Sequence, residues 1–290
     1  MINFKKIAII GKLEGELPAG PLRVLSALLH ERGILVRTDA RTGAAFDASA
    51  SEIFDGPDVI PDADLAIAVG GDGTLLGVAR IAATHGVPLV GVNLGTLGFL
   101  TDVPQDELSE LITAILEGRY TEEKRLMLDA VVKRDDEIMF KAVALNDVVI
   151  SRGAMGTMIE FAVAVDGEFI YSLRADGLIV ATPTGSTAYA LSSGGPILHP
   201  TLPAISLVPI SPHTLSNRPI AIASTSEVRV KLIRGMNARV NFDVQSFFDP
   251  QSDDVVIIRA DPNPLRLLHP EGYSYFGMLR TKLHWNERTS

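Results

Sequence analysis

Asp64–Thr74, DLAIAVGGDGT, is the stretch that decides how the first half of the chain folds. Leu65 to Val69 form an unbroken apolar run, the pattern of a short buried strand. The run stops at Gly70-Gly71, passes Asp72, and leaves through Gly73-Thr74 into LLGVARIAATHG, whose apolar residues recur at helical spacing. A carboxylate therefore stands at a strand-to-helix turn, among glycines that let a ligand approach the backbone closely. Phosphates are expected there. The same four residues also suit an ordinary tight turn in which Asp72 caps the next helix, and the motif alone leaves both readings open.

Outward from this turn, strand and helix patterns alternate from Lys6 to about Gly118. Ile7 to Ile10 read as a strand. Leu22, Val24, Leu25, Leu28 and Leu29 share a helical face closed by Gly33, and Ile34 to Val36 return as a strand. Arg41 to Asp58 lack periodicity and read as a connection. Val87 to Val92 form another strand. A helix after Pro104 has Asp106 and Glu107 in its first turn, Leu108, Leu111, Ile112 and Ile115 on one face, and Gly118 at its end. Strands alternating with helices predict a doubly wound, mostly parallel sheet.

Beyond Tyr120 short alternating runs take over, and Asp135-Asp136 and Asp166-Gly167 are hairpin-turn signals. This half reads as mostly β, sandwich-like. The predicted division is an α/β nucleotide-phosphate domain over 1–120 and a β-rich domain over 121–267.

Composition narrows the chemistry. The chain has 290 residues, 47% of them hydrophobic and 21% charged, enough to fill one large core or two ordinary ones. It has no cysteine, which excludes disulfides, thiolate nucleophiles and cysteine-based zinc sites. A formal charge of -9 disfavours binding to a nucleic-acid backbone, so no nucleic-acid partner is expected. The opening MINFKKIAIIGK has too short an apolar run for a secretory signal, and no stretch approaches the ~18 apolar residues of a membrane span. A cytoplasmic protein with no membrane partner is expected.

Several familiar sites are missing. The turn after the first strand, IIGKLEGELPAG, lacks the dinucleotide-binding glycine spacing, and no P-loop, HExxH or GxSxG motif occurs. Three other stretches look like backbone shaped around a ligand. Asn93–Leu100, NLGTLGFL, follows a predicted parallel strand at its carboxyl end, where open α/β sheets hold ligands. Leu145-Asn146-Asp147 sets an amide beside a carboxylate, a pair able to bind ribose hydroxyls or adenine edges. Asp176–Pro196, DGLIVATPTGSTAYALSSGGP, runs from a strand through small hydroxyl residues into a short helix, with Tyr189 offering a stacking face.

Gly70–Thr74, Asn93–Leu100, Leu145–Asp147, Asp176–Pro196 and PHTLSNRP at Pro212–Pro219 resemble, in that order, the motifs of the NAD kinase family. The similarity spans about residues 5 to 285 and includes Lys282-Leu283-His284-Trp285. It implies an α/β amino-terminal domain, a β-rich carboxyl-terminal domain, and a last segment, 268–290, packing back on the first. It also implies transfer of the γ-phosphate of ATP to the 2′-hydroxyl of the adenosine ribose of NAD, giving NADP, with Mg²⁺ held mainly by the ATP phosphates. Asp72 matches the family's proton acceptor, with Gly73 beside it in the nucleotide turn. Asn146 and Asp147 match residues on the NAD adenylate; the family often has Glu at the second position. Asp176 and the run Thr187, Ala188, Tyr189, Ala190, Leu191 and Ser192 match further NAD contacts, some made across a subunit boundary, which implies a homo-oligomer, dimer or tetramer. Arg174 and Gln245 fall where the family has polar ligand contacts. Gly-Gly-Asp-Gly is shared with diacylglycerol-type lipid kinases, which leaves a lipid kinase and a non-catalytic dinucleotide sensor as the alternatives.

Overall fold

A computed structural model describes residues 4–285 apart from 13, 14, 16, 96, 97, 154–156 and 215. Thr96 and Leu97 of the NLGTLGFL loop and Leu215 of PHTLSNRP therefore lie outside the described residues. The chain divides into two units, Met1–Lys124 with Leu265–Ser290, and Arg125–Pro264.

The strands in chain order begin with β1 Lys6–Gly11, β2 Leu35–Thr38, β3 Leu65–Gly70, β4 Leu89–Asn93, β5 Val103–Pro104 and β6 Tyr120–Arg125. There follow β7 Leu128–Arg134, β8 Glu137–Ala144, β9 Asp147–Arg152, β10 Ile159–Val165, β11 Glu168–Ala175 and β12 Gly177–Ala181. The last are β13 Ala204–Ile210, β14 Ile220–Ala223, β15 Val228–Arg234, β16 Ala238–Phe242, β17 Ser246–Phe248, β18 Val255–Ala260 and β19 Leu265–Pro270. The helices are α1 Ala19–Glu31, α2 Ala40–Ala44, α3 Asp72–His85, α4 Leu108–Leu116, α5 Tyr189–Ser192 and α6 Tyr275–Lys282.

The first unit is built on a sheet of order β2-β1-β3-β4-β19-β6, with β5 beside β4. Pairings β1–β2, β1–β3, β3–β4, β4–β5 and β4–β19 are parallel. Every residue of β3 and β4 is buried. Successive side chains point to opposite faces, so both faces of the sheet are covered, as a parallel sheet requires. Helix α3 leaves β3 directly. It ends at Gly86, whose φ of 67° gives the left-handed cap that returns its N–H to Ala82 and Ala83 carbonyls.

The second unit holds two six-stranded antiparallel sheets, β11-β10-β15-β18-β7-β8 and β14-β13-β12-β9-β16-β17. Side chains from both sheets share one core, including Phe161, Val230 and Ile258 from the first and Ile150, Val180 and Phe242 from the second. Strands β9 and β12 have a second buried face, where Val149, Ile179 and Val208 meet Ala190 of α5. Asp135 and Asp136 at φ 49° and 65°, and Asp166 and Gly167 at φ 51° and 83°, make the two hairpin turns expected from their residue types.

The structure differs from the sequence reading in several places. Within 41–58 the chain forms α2, whose N-cap Asp39 accepts from Thr42 N–H at 2.9 Å, followed by two short 3₁₀ turns. Strand β6, rich in charge, belongs to the first sheet, so the first unit runs to Lys124 and resumes at Leu265. Strands β14, β17 and β19 were also beyond the sequence pattern, being short or far in sequence from their partners.

Candidate active site

The first candidate centre lies within the first unit, where β3 gives way to α3. Gly71 is the N-cap of α3, and no side chain caps that end. Asp72 begins the helix, and its carboxylate turns instead to the loop after β4. Phe99 N–H donates to Oδ2 at 2.8 Å, Leu100 N–H to Oδ1 at 3.0 Å, and the Thr101 hydroxyl to Oδ1 at 3.2 Å. The helix-capping reading of Asp72 is thereby overturned. Thr101, fully buried, also accepts from Asn93 Nδ2 at 2.9 Å, so the last residue of β4 supports the same cradle. Gly98 is required by this closure: a Cβ there would collide with Asp72 Oδ1 and with Thr101 Oγ1.

Beside the turn lies an open groove of about 640 Å³, lined among others by Lys12, Gly70, Gly71, Asn93 and Gly95. It sits at the carboxyl ends of β1, β3 and β4, the edge at which parallel sheets take ligands. The first turn of α3 adds backbone N–H groups at the positive end of a 14-residue helix. Glycine backbone and one lysine suit an anion. Lys12 was not singled out in the sequence, although a lysine directly after the first strand of a parallel sheet is the available signal.

A second candidate centre lies within the second unit. The Asp243 carboxylate accepts three consecutive backbone N–H groups, from Leu145 at 2.6 Å, Asn146 at 2.8 Å and Asp147 at 3.1 Å. Asp243 itself has φ 53° and is 2% exposed, held in a tight turn between β16 and β17. Asn146 is also fixed from the other side. Thr182 N–H donates to its carbonyl at 2.9 Å, and the Thr182 hydroxyl donates to Leu145 O at 2.6 Å. Gly185 lies so close that a Cβ would strike the Asn146 carbonyl oxygen.

Asp147 is 5% exposed, and among the described residues its carboxylate has no hydrogen-bond donor. Burial, and next the Asp243 carboxylate beside it, push its pKa up to about 7. Buried polar groups ordinarily have partners, so an unanswered carboxylate at a loop edge marks a place for a ligand's donors.

The hydroxyls of the Thr-Pro-Thr-Gly-Ser-Thr turn make hydrogen bonds within and beside their own loop. Ser186 donates to Pro183 O at 2.6 Å and accepts from Leu198 N–H at 2.9 Å, while Thr187 donates to Thr184 O at 3.2 Å. They hold the loop in shape. Helix α5 has only four residues, with Tyr189 exposed and Ala190 buried, and Ala188, Leu191 and Ser192 on its flanks. Asp176 lies at the opposite end of β12 from this group, ion-paired with Arg152 at 2.7 Å. Arg174 is exposed on β11 across from Glu160, and Gln245 is exposed just past Asp243. Sequence reading missed Asp243 and Thr101: Asp243 acts through backbone groups far along the chain, and Thr101 through the side chains of Asp72 and Asn93.

Residues 57–120 match the family described as ATP-NAD kinase N-terminal domain, and residues 145–269 the ATP-NAD kinase C-terminal domain. The chain is similar to an NAD kinase of Chromobacterium violaceum, 52% identical over 287 residues and covering 98% of each chain. An NAD kinase of Laribacter hongkongensis is 50% identical over 285 residues, again with 98% of each covered. Among solved structures, yeast NADH kinase complexed with NADH superposes with a TM-score of 0.87 at 25% identity, covering 99% of this chain and 89% of that one.

Proposed function

The chain belongs to the NAD kinase family, and from that premise we propose how its residues carry the reaction. The protein phosphorylates NAD to NADP at the expense of ATP. The lipid-kinase and sensor readings fall with that assignment. In the proposal Asp72 is the proton acceptor, and the cradle around its carboxylate is the observation that carries it. A carboxylate offers about four acceptor sites, and the three donors take two on Oδ1 and one on Oδ2. The remaining site on Oδ2 accepts the proton of the ribose 2′-hydroxyl. As that O–H bond breaks, the ribose oxygen bonds to the γ-phosphorus, the bond from phosphorus to the β–γ bridging oxygen breaks, and ADP leaves.

Positioning and charge neutralisation dominate phosphoryl transfer. Lys12 and the backbone of Gly70 and Gly71, which line the groove, neutralise phosphate oxygens there, with Gly73 next along the turn. The family's dependence on ATP implies a divalent cation. It is magnesium in this reading, arriving with ATP and held by phosphates and water.

Asn146 and Asp147 bind the NAD adenylate, with ribose hydroxyls or adenine N–H supplying the donor that the Asp147 carboxylate lacks. The surface of Thr187, Ala188, Tyr189, Ala190, Leu191 and Ser192, with Gln245, lines the same nucleotide. Asp176 and Arg174 stand at the other end of β12, and a second copy of the chain brings that end to the ligand, making the working form a homo-oligomer. A cytoplasmic location follows from the need for ATP and NAD in one compartment. The test is a coupled assay: NAD, ATP and Mg²⁺ with a dehydrogenase that accepts only the 2′-phosphorylated coenzyme. Reduced coenzyme should accumulate, and no signal would sink the proposal.

A further inference from the structure

Outside that machinery, three ionisable side chains from distant parts of the first unit meet in its interior. His269, on β19, is fully buried. Its Nδ1 lies 2.7 Å from Asp102 Oδ2, and its Nε2 lies 3.5 Å from Glu123 Oε2 on β6. Tyr273 stacks on the imidazole, with centroids 3.8 Å apart and planes within 8°. The side chains of Asp102 and Glu123 are only 6% and 16% exposed. Burying such groups is costly unless they answer one another. A neutral imidazole has a single N–H, whereas the imidazolium has one for each carboxylate.

The location of Asp102 gives this cluster a role. Asp102 directly follows Thr101, and the loop Gly98–Thr101 supplies all three donors to the Asp72 carboxylate. The loop is closed on itself by Gly98 N–H to Thr101 O at 3.4 Å. The segment that carries His269 touches it again farther on, where Lys282 of α6 lies 5.8 Å over the Phe99 ring. Glu122 and Arg266, bidentate with both oxygens at 2.8 Å, tie β6 to β19 beside the cluster. The carboxyl-terminal return of the chain thus grips the loop that aims Asp72.

We propose that His269 is a positioning residue for the phosphoryl transfer, holding the Gly98–Thr101 loop through Asp102 so that Asp72 faces the reacting hydroxyl. The inference rests on the reading of Asp72 as proton acceptor. His269 itself touches no reacting atom. The groups facing it are Asp102 from the loop after β4, Glu123 from β6 and the Tyr273 ring ahead of α6. The Nδ1 contact with Asp102 is the one that reaches the loop, so its loss frees the loop and lowers turnover.

The test compares the full-length wild type with His269→Gln, which keeps one donor without the charge, and Asp102→Asn. A displacement of ~1 Å at the reacting groups costs up to ~10²-fold, so kcat should fall ~10- to 10²-fold in each. The KM values for NAD and ATP should stay within about threefold, because the binding groups are untouched. The double variant should lose no more than the worse single one, since both act through a single contact. Turnover within twofold of wild type once corrected for the folded fraction, or a loss carried by the KM values and not by kcat, overturns the inference. Should neither variant fold, Asp102→Glu decides, since it keeps the acceptor for His269 and displaces it by one methylene: kcat should fall with both KM values unchanged, and a wild-type kcat refutes the idea. A wild type that makes no NADP would instead sink the kinase reading itself.

Discussion

Asp72 and Asp147 are the same residue type in similar places, Asp72 just past the buried strand β3 and Asp147 at the buried start of β9, each next to a loop that a ligand can reach. Their surroundings are opposite. Two backbone N–H groups and a hydroxyl take up the Asp72 carboxylate and fix its direction. The Asp147 carboxylate, buried and beside a second acid, is answered by no donor among the described residues, and its pKa is driven up to about 7. An acid's role is therefore set by which donors reach it, as in other enzymes whose paired carboxylates diverge. Asp72 is built to act on a proton with its geometry already in place. Asp147 is built to wait, with its partner supplied by the coenzyme.

The sharpest way to break this contrast is Asp72→Asn. The substitution keeps the size, removes the base, and turns an NH₂ toward donors that expect an acceptor. Turnover should drop by ~10²- to 10⁴-fold in the coupled assay, while calorimetric NAD binding largely survives. Near-normal turnover would remove Asp72 from its role.

Gly98→Ala attacks the same centre without touching the acid. The new methyl group meets Asp72 Oδ1 and Thr101 Oγ1, so the loop must move away from the carboxylate it orients. A loss of ~10- to 10²-fold in kcat is expected, with little change in KM for NAD. An unaffected kcat would mean that the donors at Phe99, Leu100 and Thr101 do not matter for catalysis.

How much of this was legible in the sequence follows from distance along the chain. The strand–Gly-Gly-Asp-Gly–helix turn is local, and both the strand and the helix form where the apolar pattern puts them. The two hairpins are likewise local, set by aspartates and a glycine that tolerate positive φ. Asp72's own partners were not legible, because they lie 27 to 29 residues away and two of them are backbone N–H groups with no residue signature. Asp243 is farther still, 96 to 98 residues from the amides it gathers. Strand β6 was hidden by the run Glu122, Glu123 and Lys124, of which the two glutamates meet Arg266 and His269 only once β19 returns beside it. The Thr and Ser residues of Thr182–Thr187 read correctly as loop chemistry, but a hydroxyl looks the same whether it faces a ligand or its own backbone.

Asp243 is the means to sharpen the comparison from the other side. In Asp243→Asn one oxygen that accepts N–H groups becomes an NH₂, and the charge next to Asp147 vanishes. Leaving buried N–H groups unanswered should cost about 1–3 kcal/mol in urea unfolding. The pKa of Asp147 should also move down from about 7, since one of its two causes is gone. An unchanged stability would show that the Leu145–Asp147 turn holds without its carboxylate clasp.

The most diagnostic effect for Asp147 is a slope with pH rather than a loss at one pH. In the unfolded chain an aspartate loses its proton near pH ~4, whereas in the folded protein burial and Asp243 delay that loss to about 7. Between those values the folded state holds a proton that the unfolded state has released. Stability contributed by this group is therefore fully present at the acid end and declines as pH rises through the window, by at most ~1.4 kcal/mol per pH unit. Above about 7 both states are ionised and the decline ends. Asp147→Asn has no proton to lose, so its urea midpoint should lack this component, and the two proteins should diverge progressively between about pH 4 and pH 7. Saturating NAD should flatten the wild-type slope toward that of the variant, because donors from the coenzyme favour the ionised carboxylate and pull its pKa down. Parallel curves for wild type and variant, with and without NAD, would make Asp147 an ordinary acid and erase the distinction from Asp72.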